Sequence, residues 1–138
     1  MGKVIVKIKV QSWADIEGVA AGYRQESPRV AEVDALVDTG ATSLYLQSAV
    51  ITALGLRPIR EVQSRTMSNR LEKRRIFSPV NLQIEGREMN TDVVEIPDEL
   101  PNLVGQIPLE AMDFVVDMRR HKLVQNPDHK DGPMWEEY

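Results

Sequence analysis

The chain has 138 residues, 42% of them hydrophobic, carries a formal net charge of −4 and contains no cysteine. This length suits one domain with one core, and the lack of cysteine excludes disulfides, thiolate metal sites and cysteine nucleophiles. The acidic balance argues against a dedicated nucleic-acid binder. The two histidines, His121 and His129, lie in a polar C-terminal stretch, so we expect neither a metal site nor a cofactor.

The first forty residues predict a strand, a helix and a second strand. Aliphatic residues alternate with lysines over residues 3–10, which is the period-two pattern of a half-buried strand. Ser12 followed by Asp15 has the character of a capping box, which predicts a short helix from Trp13 to Tyr23. The apolar, extended segment Val30 to Asp38 then runs directly into a Thr-Gly turn signal.

The middle of the chain predicts one helix and a set of hairpins. Apolar residues at helical spacing from Gln47 to Leu54, ending at Gly55, predict a short helix. Turn signals at Ser68-Asn69 and Glu85-Gly86 separate three strand candidates, which are residues 62–67, 75–84 and 88–96.

The last part of the chain predicts shorter elements. Leu103 to Gly105 is a short apolar segment, Leu109 to Met112 is about one helical turn, and residues 114–124 contain two short extended pieces. Many short strands with two or three small helices indicate a mostly-β, barrel-like domain over residues 1–124. A polar tail over residues 125–138 follows it.

No apolar run approaches the roughly 20 residues of a membrane span. Residues 1–10 also lack the continuous apolar stretch of a signal peptide. We therefore expect a cytoplasmic protein with no membrane partner.

Asp38 is the candidate for chemistry. It follows two aliphatic strand residues and precedes Thr39 and Gly40, so its carboxylate stands on a turn where a ligand could approach the backbone. This placement predicts a desolvated carboxylate. The tripeptide alone is a weak signal, since Asp and Thr also cap turns ahead of helices such as the one predicted at Gln47.

Residues 36–42, Leu-Val-Asp-Thr-Gly-Ala-Thr, resemble the active-site loop of retropepsin-like aspartic proteases. Leu103-Val104-Gly105, which begins sixty-five residues after Asp38 and precedes a helical turn, resembles that family's second signature. The resemblance covers about residues 3–124 and points to bacterial single-domain members. It implies a small closed β-barrel of the acid-protease type and an aspartic endopeptidase that acts on peptides or proteins as a homodimer.

The chemistry of such a site requires two carboxylates. When they lie about 3 Å apart they cannot both ionise, so they share one proton. The ionised member takes a proton from a water that attacks the peptide carbonyl, and the protonated member donates to the developing oxyanion. The chain has a single Asp-Thr-Gly, so the second carboxylate must come from Asp38 of a second copy across a two-fold axis.

The resemblance also implies supporting roles for neighbouring residues. Thr39 would bond across the dimer axis, although a local turn bond is the alternative. Gly40 would admit the substrate backbone, and Ala41, Thr42 and Gly105 would border the substrate.

Retroviral relatives carry an ion pair between the residue after the loop alanine and the residue after the second-motif glycine. Here these residues are Thr42 and Gln106. A neutral pair of this kind can form a hydrogen bond, but it lacks the strength of a charge-assisted pair.

The family's flap maps to the hairpin at residues 67–72, with Met67, Ser68 and Asn69 as substrate-binding residues. The tip contains no glycine, so it must turn on Ser68 and Asn69. The hairpin has a net charge of +4, because Glu72 is opposed by five cations, which are Arg65, Arg70, Lys73, Arg74 and Arg75. This charge indicates either a solvated edge that resists aggregation or a surface that attracts acidic substrates.

The chain ends suggest further contacts. We expect the segments Lys3 to Val10 and Arg119 to Val124 to be free edges that pair in the dimer. The segment Asn126 to Tyr138 has a net charge of −3. It is either a tethered ligand for the basic hairpin, anchored by Trp135, or a frayed terminus.

Two other functions compete with the peptidase. A catalytically silent module could dimerise and bind an extended peptide by strand addition. The intact Asp-Thr-Gly-Ala favours the enzyme, whereas the glycine-free flap and the missing ion pair favour the module. Nucleic-acid binding has only the basic hairpin in its favour, without interleaved aromatic residues.

Overall fold

The computed structural model of the chain describes residues 3–66 and 68–129. Within these residues the helices are α1 (Trp13–Ala21), α2 (Ser48–Leu54) and α3 (Gln106–Ala111). The strands are β1 (Ile5–Ser12), β2 (Val30–Val37), β3 (Leu44–Gln47), β4 (Pro58–Arg65), β5 (Leu71–Ile84), β6 (Arg87–Ile96), β7 (Asn102–Val104), β8 (Phe114–Asp117) and β9 (Lys122–Gln125). The predicted mostly-β class with short helices is confirmed.

Six strands close into a barrel. They follow one another in the order β1, β2, β7, β3, β6, β5, and β5 closes the ring by pairing antiparallel with β1. β4 extends the sheet beyond β5, while β8 and β9 form a separate two-stranded sheet. β2 runs parallel to β7, so the carboxyl ends of these two strands lie together. The predicted closed barrel is therefore confirmed.

Alternating side chains fill the barrel interior, as the period-two pattern of β1 predicts. Each fully buried aliphatic side chain stabilises the fold by about 1.5–3 kcal/mol. Side chains with no exposed surface include Ile8, Val10, Leu44, Leu46, Leu82 and Val93. Their opposite neighbours along each strand lie on the outer face of the sheet.

The first two helices form where the sequence predicts them. Ser12 Oγ accepts a hydrogen bond from the Asp15 amide at 3.2 Å, and α1 ends at left-handed Gly22 rather than at Tyr23. Gly55, also left-handed, ends α2. The longest described helix, α1, has nine residues, and no described helix combines the length and hydropathy that a membrane span needs.

The strand β3 was not predicted, and three elements begin at least three residues earlier than the sequence predicts. β5 begins at Leu71 rather than at residue 75. β4 begins at Pro58, which the pattern placed in a break, because proline is tolerated at the first position of an edge strand. α3 begins at Gln106 rather than at Leu109, because Pro108 lies in the first helical turn, where no intrahelical N–H is lost.

The prediction of free edges at the chain ends is wrong for the second half of β1, whereas among the described strands β9 pairs on one side only and keeps one free edge. Lys9 to Ser12 pair with Val80 to Gln83 of β5 in addition to their pairing with β2. Closure of the barrel therefore occupies the second half of β1, and β9 pairs with β8. Among the described strands, the first half of β1 pairs on one side only, with β2.

An ion pair fastens α1 to the segment before β2. Arg29 donates to the Asp15 carboxylate from its backbone N, Nε and Nη2, at 2.8–3.0 Å. Asp15 is 5% exposed, and its hydrogen bonds from Arg29 lower the pKa of its carboxyl to about 2. The Arg29 guanidinium also fills the space beside Gly55, where a Cβ would lie 1.9 Å from Nη1. Arg29 thus joins α1, β2 and the end of α2.

Candidate active site

Asp38 follows the last residue of β2 and lies beside β7. Its backbone N–H donates to the Val104 carbonyl at 3.0 Å, which extends the parallel ladder between the two strands. Asp38 therefore stands next to Gly105, where the carboxyl ends of two parallel strands meet. The structure brings together the two motifs that lie far apart in sequence.

The turn after β2 fixes one oxygen of the Asp38 carboxylate. The Gly40 N–H donates to Oδ1 at 2.9 Å, and Oδ2 has no hydrogen bond to any residue that the structure describes. The prediction of a desolvated carboxylate is wrong for the single chain, because Asp38 is only half-buried at the open end of the barrel. One oxygen is oriented and the other is accessible.

Asp38 and Thr39 do not cap the helix that follows. α2 begins ten residues after Asp38, and its Ala49 amide donates to the Asp98 carboxylate at 2.9 Å. Thr39 is exposed, and within the described part of the chain its hydroxyl makes no hydrogen bond. Asp38 does cap the turn ahead of that helix, since its Oδ1 accepts from the Gly40 N–H and its carbonyl oxygen accepts from the Ala41 N–H at 3.1 Å.

Backbone hydrogen bonds hold the rest of the loop against the start of α3. The amides of Gly105 to Ile107 donate to the carbonyls of Ala41 to Ser43, with donor–acceptor distances of 2.8–3.0 Å. A Cβ on Gly105 would lie 2.6 Å from the Ala41 oxygen and 2.7 Å from the Ser43 oxygen. Glycine is required because any side chain would push the two backbones apart.

Thr42 and Gln106 form no side-chain hydrogen bond with each other. The Thr42 hydroxyl lies 3.3 Å from the Tyr45 hydroxyl. The side-chain amide of Gln106 donates to the Glu110 carboxylate at 2.7 Å. The main chain, rather than a side-chain pair, therefore holds the loop to α3. Sequence reasoning missed Tyr45, because the alternation of β3 extends over only four residues.

A row of register partners crosses the sheet beside Asp38, and we call it the apolar row. Register partners share a face of the sheet, and Asp38, two residues after Leu36, lies on that face as well. The residues that alternate with these along each strand, such as Leu44 and Val93, point to the other face and belong to the barrel core. From β1 to β5 the apolar row consists of Ile5, Leu36, Leu103, Tyr45, Val94 and Ile76.

The predicted flap is a hairpin of β4 and β5. Asn69 is left-handed, with φ of 62°, and its amide donates to the Thr66 carbonyl at 2.9 Å. The predicted turn on Ser68 and Asn69 is confirmed, and their contact with substrate stays a prediction. Met67, the third expected substrate-binding residue, lies outside the described residues.

The net charge of +4 predicted for the hairpin overstates its free charge. Arg75 donates to both carboxylate oxygens of Glu95, at 2.9 and 3.1 Å, and its guanidinium lies 5.0 Å from the centre of the Phe77 ring. These hydrogen bonds lower the pKa of the Glu95 carboxyl. The sequence could not reveal this pair, because β6 supplies the acid.

The first residues of the predicted tail contact the domain. Asn126 donates to Asp113 Oδ1 at 3.1 Å, and His129 Nδ1 contacts Asp113 Oδ2. The rest of the tail, with Trp135, lies outside the described residues. Its docking on the hairpin stays a prediction.

Comparison with known proteins gives one family. The aspartyl protease family matches residues 19–108, which is more than half of the chain and includes both Asp38 and Gly105. Among curated proteins, none matches the chain. The family match, the closed barrel and the adjacent motifs agree with one another. The chain belongs to the aspartyl protease family, as a retropepsin-like member.

Proposed function

We propose that the protein is a homodimeric aspartic endopeptidase in which Asp38 and its symmetry mate activate a water molecule. The observation that carries this proposal is the carboxylate of Asp38, oriented through Oδ1 by Gly40 and accessible through Oδ2. It lies beside the apolar row, whose members on β1, β2, β7 and β3 keep exposed surface that could contact substrate side chains, whereas Val94 and Ile76 are buried. One chain supplies one such carboxylate, and the reaction requires two.

In the dimer, the two Asp38 carboxyl groups share one proton. The ionised member takes a proton from the water as its oxygen attacks the peptide carbonyl carbon. The protonated member donates to the carbonyl oxygen, which gives a tetrahedral gem-diol. The carboxyl that took the water's proton then passes it to the amide nitrogen as the C–N bond breaks, and the other carboxylate takes back a proton from one hydroxyl, so that the amine and the carboxylic acid leave and the shared proton is restored. The second copy also covers the half-exposed carboxylate, which excludes water and strengthens these contacts.

The neighbouring residues have supporting roles in this proposal. Thr39 is exposed, so its hydroxyl is available to the loop of the second copy. Ala41, Thr42 and Gly105 border the substrate, and the tip of the hairpin closes over it. The cytoplasmic location stays a prediction.

The test replaces Asp38 by asparagine. Wild-type protein should cleave members of a diverse peptide library at acidic to neutral pH, and a transition-state-mimicking aspartic protease inhibitor should block the cleavage. Asp38→Asn should abolish it, because a neutral amide cannot take a proton from water, while circular dichroism stays unchanged. Glu88→Gln removes one exposed carboxylate from another part of the barrel and should keep full activity.

Undiminished cleavage by Asp38→Asn would contradict the proposal. A wild-type protein that binds peptides but hydrolyses none would favour the catalytically silent module instead. The absence of the side-chain bond between Thr42 and Gln106 is the observation in favour of that alternative.

A further inference from the structure

The two faces of the β4–β5 hairpin differ in burial. Over residues 61–65 and 71–75, half-buried residues alternate with exposed ones, and paired positions agree. We call the half-buried side the inner face, and it consists of Val62, Ser64, Glu72 and Arg74. Arg74 lies two residues before Ile76 of the apolar row. The inner face therefore continues the face of the sheet that carries Asp38.

Arg74 is a half-buried cation on this inner face, opposite Val62. Within residues 3–66 and 68–129 its side chain has no hydrogen bond and no ion pair. Its neighbour Arg75, on the exposed side, is bound to Glu95. No nitrogen of the Arg74 side chain is fully buried, so its guanidinium meets water and lacks fixed acceptors. A ligand that enters beneath the hairpin could supply them.

The charge around Arg74 favours an acidic ligand. Glu72, on the same face, lies nearer the tip and forms no ion pair with Arg74. Over residues 58–77 there are two acids, Glu61 and Glu72, and six cations, which are Arg60, Arg65, Arg70, Lys73, Arg74 and Arg75. This excess attracts a carboxylate to Arg74 and opposes the approach of a cation to Glu72.

We propose that Arg74 is a specificity-determining residue that binds an acidic side chain of the substrate, while the apolar row receives apolar side chains. The inference rests on the proposed function, since it concerns the same cleft. A carboxylate can accept two parallel hydrogen bonds from the planar guanidinium. The peptidase therefore selects peptides that combine apolar residues with one acid.

The position of that acid follows from the sheet. Leu36 and Ile76 are separated by four strand spacings along the curved sheet, a path of roughly 19 Å at about 4.8 Å per strand, and the straight distance is shorter because the sheet closes into a barrel. An extended peptide of about six residues has the length of that path, at about 3.3 Å per residue, so fewer residues span the straight distance. The acidic residue thus lies several positions from the scissile bond rather than beside it.

The test uses a series of apolar peptides in which one Glu moves along the sequence, each paired with the Gln version. When the variable residue lies at the position that reaches Arg74, wild-type protein should cleave the Glu peptide with a kcat/KM about tenfold higher than that for the Gln peptide. Arg74→Gln should lose this preference, so that its kcat/KM values for the Glu and Gln peptides become equal. Arg74→Glu should prefer a Lys peptide at that position.

The matched control is Lys73→Gln, which removes the same charge from the exposed side of the same strand. It should keep the preference for Glu. Arg74→Gln with an unchanged preference would overturn the inference, as would a preference for Lys that disappears in Glu72→Gln.

Peptide binding to Asp38→Asn separates this inference from the proposed function. If wild-type protein cleaves peptides without regard to charge, the specificity role is wrong and the peptidase stands. The opposite outcome has two parts: wild-type protein cleaves nothing, and Asp38→Asn binds the Glu peptide about tenfold more tightly than the Gln peptide. If the double variant Asp38→Asn, Arg74→Gln then binds both peptides equally, the proposed peptidase activity is wrong and the role of Arg74 stands.

Discussion

Gly105 sets the position of the Asp38 loop, because its Cα faces two carbonyl oxygens of that loop at a distance that excludes a side chain. Gly105→Ala should destabilise the fold by about 1–3 kcal/mol, the usual cost of overpacking. It should also lower kcat/KM, since relief of the clash moves the Asp38 loop away from α3. Urea unfolding and peptide cleavage measure the two effects.

Gly22→Ala provides the control for this prediction. Gly22 has a φ of +88° and no atom within 4 Å of an added Cβ, so alanine there suffers backbone strain of about 1 kcal/mol without a clash. This variant should lose some stability and keep its activity. A Gly105→Ala protein as stable and active as wild type would show that the close approach is unimportant.

Single residues were predictable from sequence where their chemistry is local. Asp38 and Gly40 were identified because the motif and its turn lie in one short segment. The partners of Thr42 and Arg75, which are Tyr45 and Glu95, were not identified from the sequence. Strand pairing sets their positions, and that pairing depends on the whole sheet.

At the scale of elements, local signals located most strands and all three helices. Ser12 and Gly55 marked a helix start and a helix end through capping and a left-handed turn. β3 was missed because its four residues are too few for a period-two pattern to stand out from the loop before it. The closing pair of β1 with β5 has no local signal, since it joins distant segments.

The contact between α1 and Arg29 leads to a prediction about pH. The pKa of Asp15 is lowered from 3.8 to about 2 in the folded chain. Its ionised form therefore stabilises the fold above about pH 4, and this contribution is lost as pH falls toward 2. Asp15→Asn should reduce the free energy of unfolding by about 1–2 kcal/mol at pH 6, since water partly screens Arg29. The difference should become small near pH 2 and vanish below it.

Denaturant unfolding of wild-type and variant protein across this pH range measures the effect. Glu17→Gln, which removes an exposed acid from the same helix, should leave the pH profile of wild type unchanged. Equal pH dependence of wild type and Asp15→Asn would contradict the role given to the ion pair.

At the scale of the whole molecule, the order of strands explains why two distant motifs form one site. β7 lies between β2 and β3, so the second motif enters the sheet beside the first. Sequence spacing alone did not specify this insertion. Resemblance to a family supplied the expectation, and the parallel pairing of β2 with β7 shows its physical basis. The barrel of one chain still leaves Asp38 half-exposed and alone.

Subunit mixing tests the shared pair of aspartates most directly. Wild-type chains are co-refolded with increasing amounts of inactive Asp38→Asn, and the cleavage rate is measured at constant total protein. If each active site needs Asp38 from both copies, the rate falls with the square of the wild-type fraction, because mixed dimers are inactive. A rate that falls in simple proportion to the wild-type fraction would show that one chain carries a complete site, and would contradict the account.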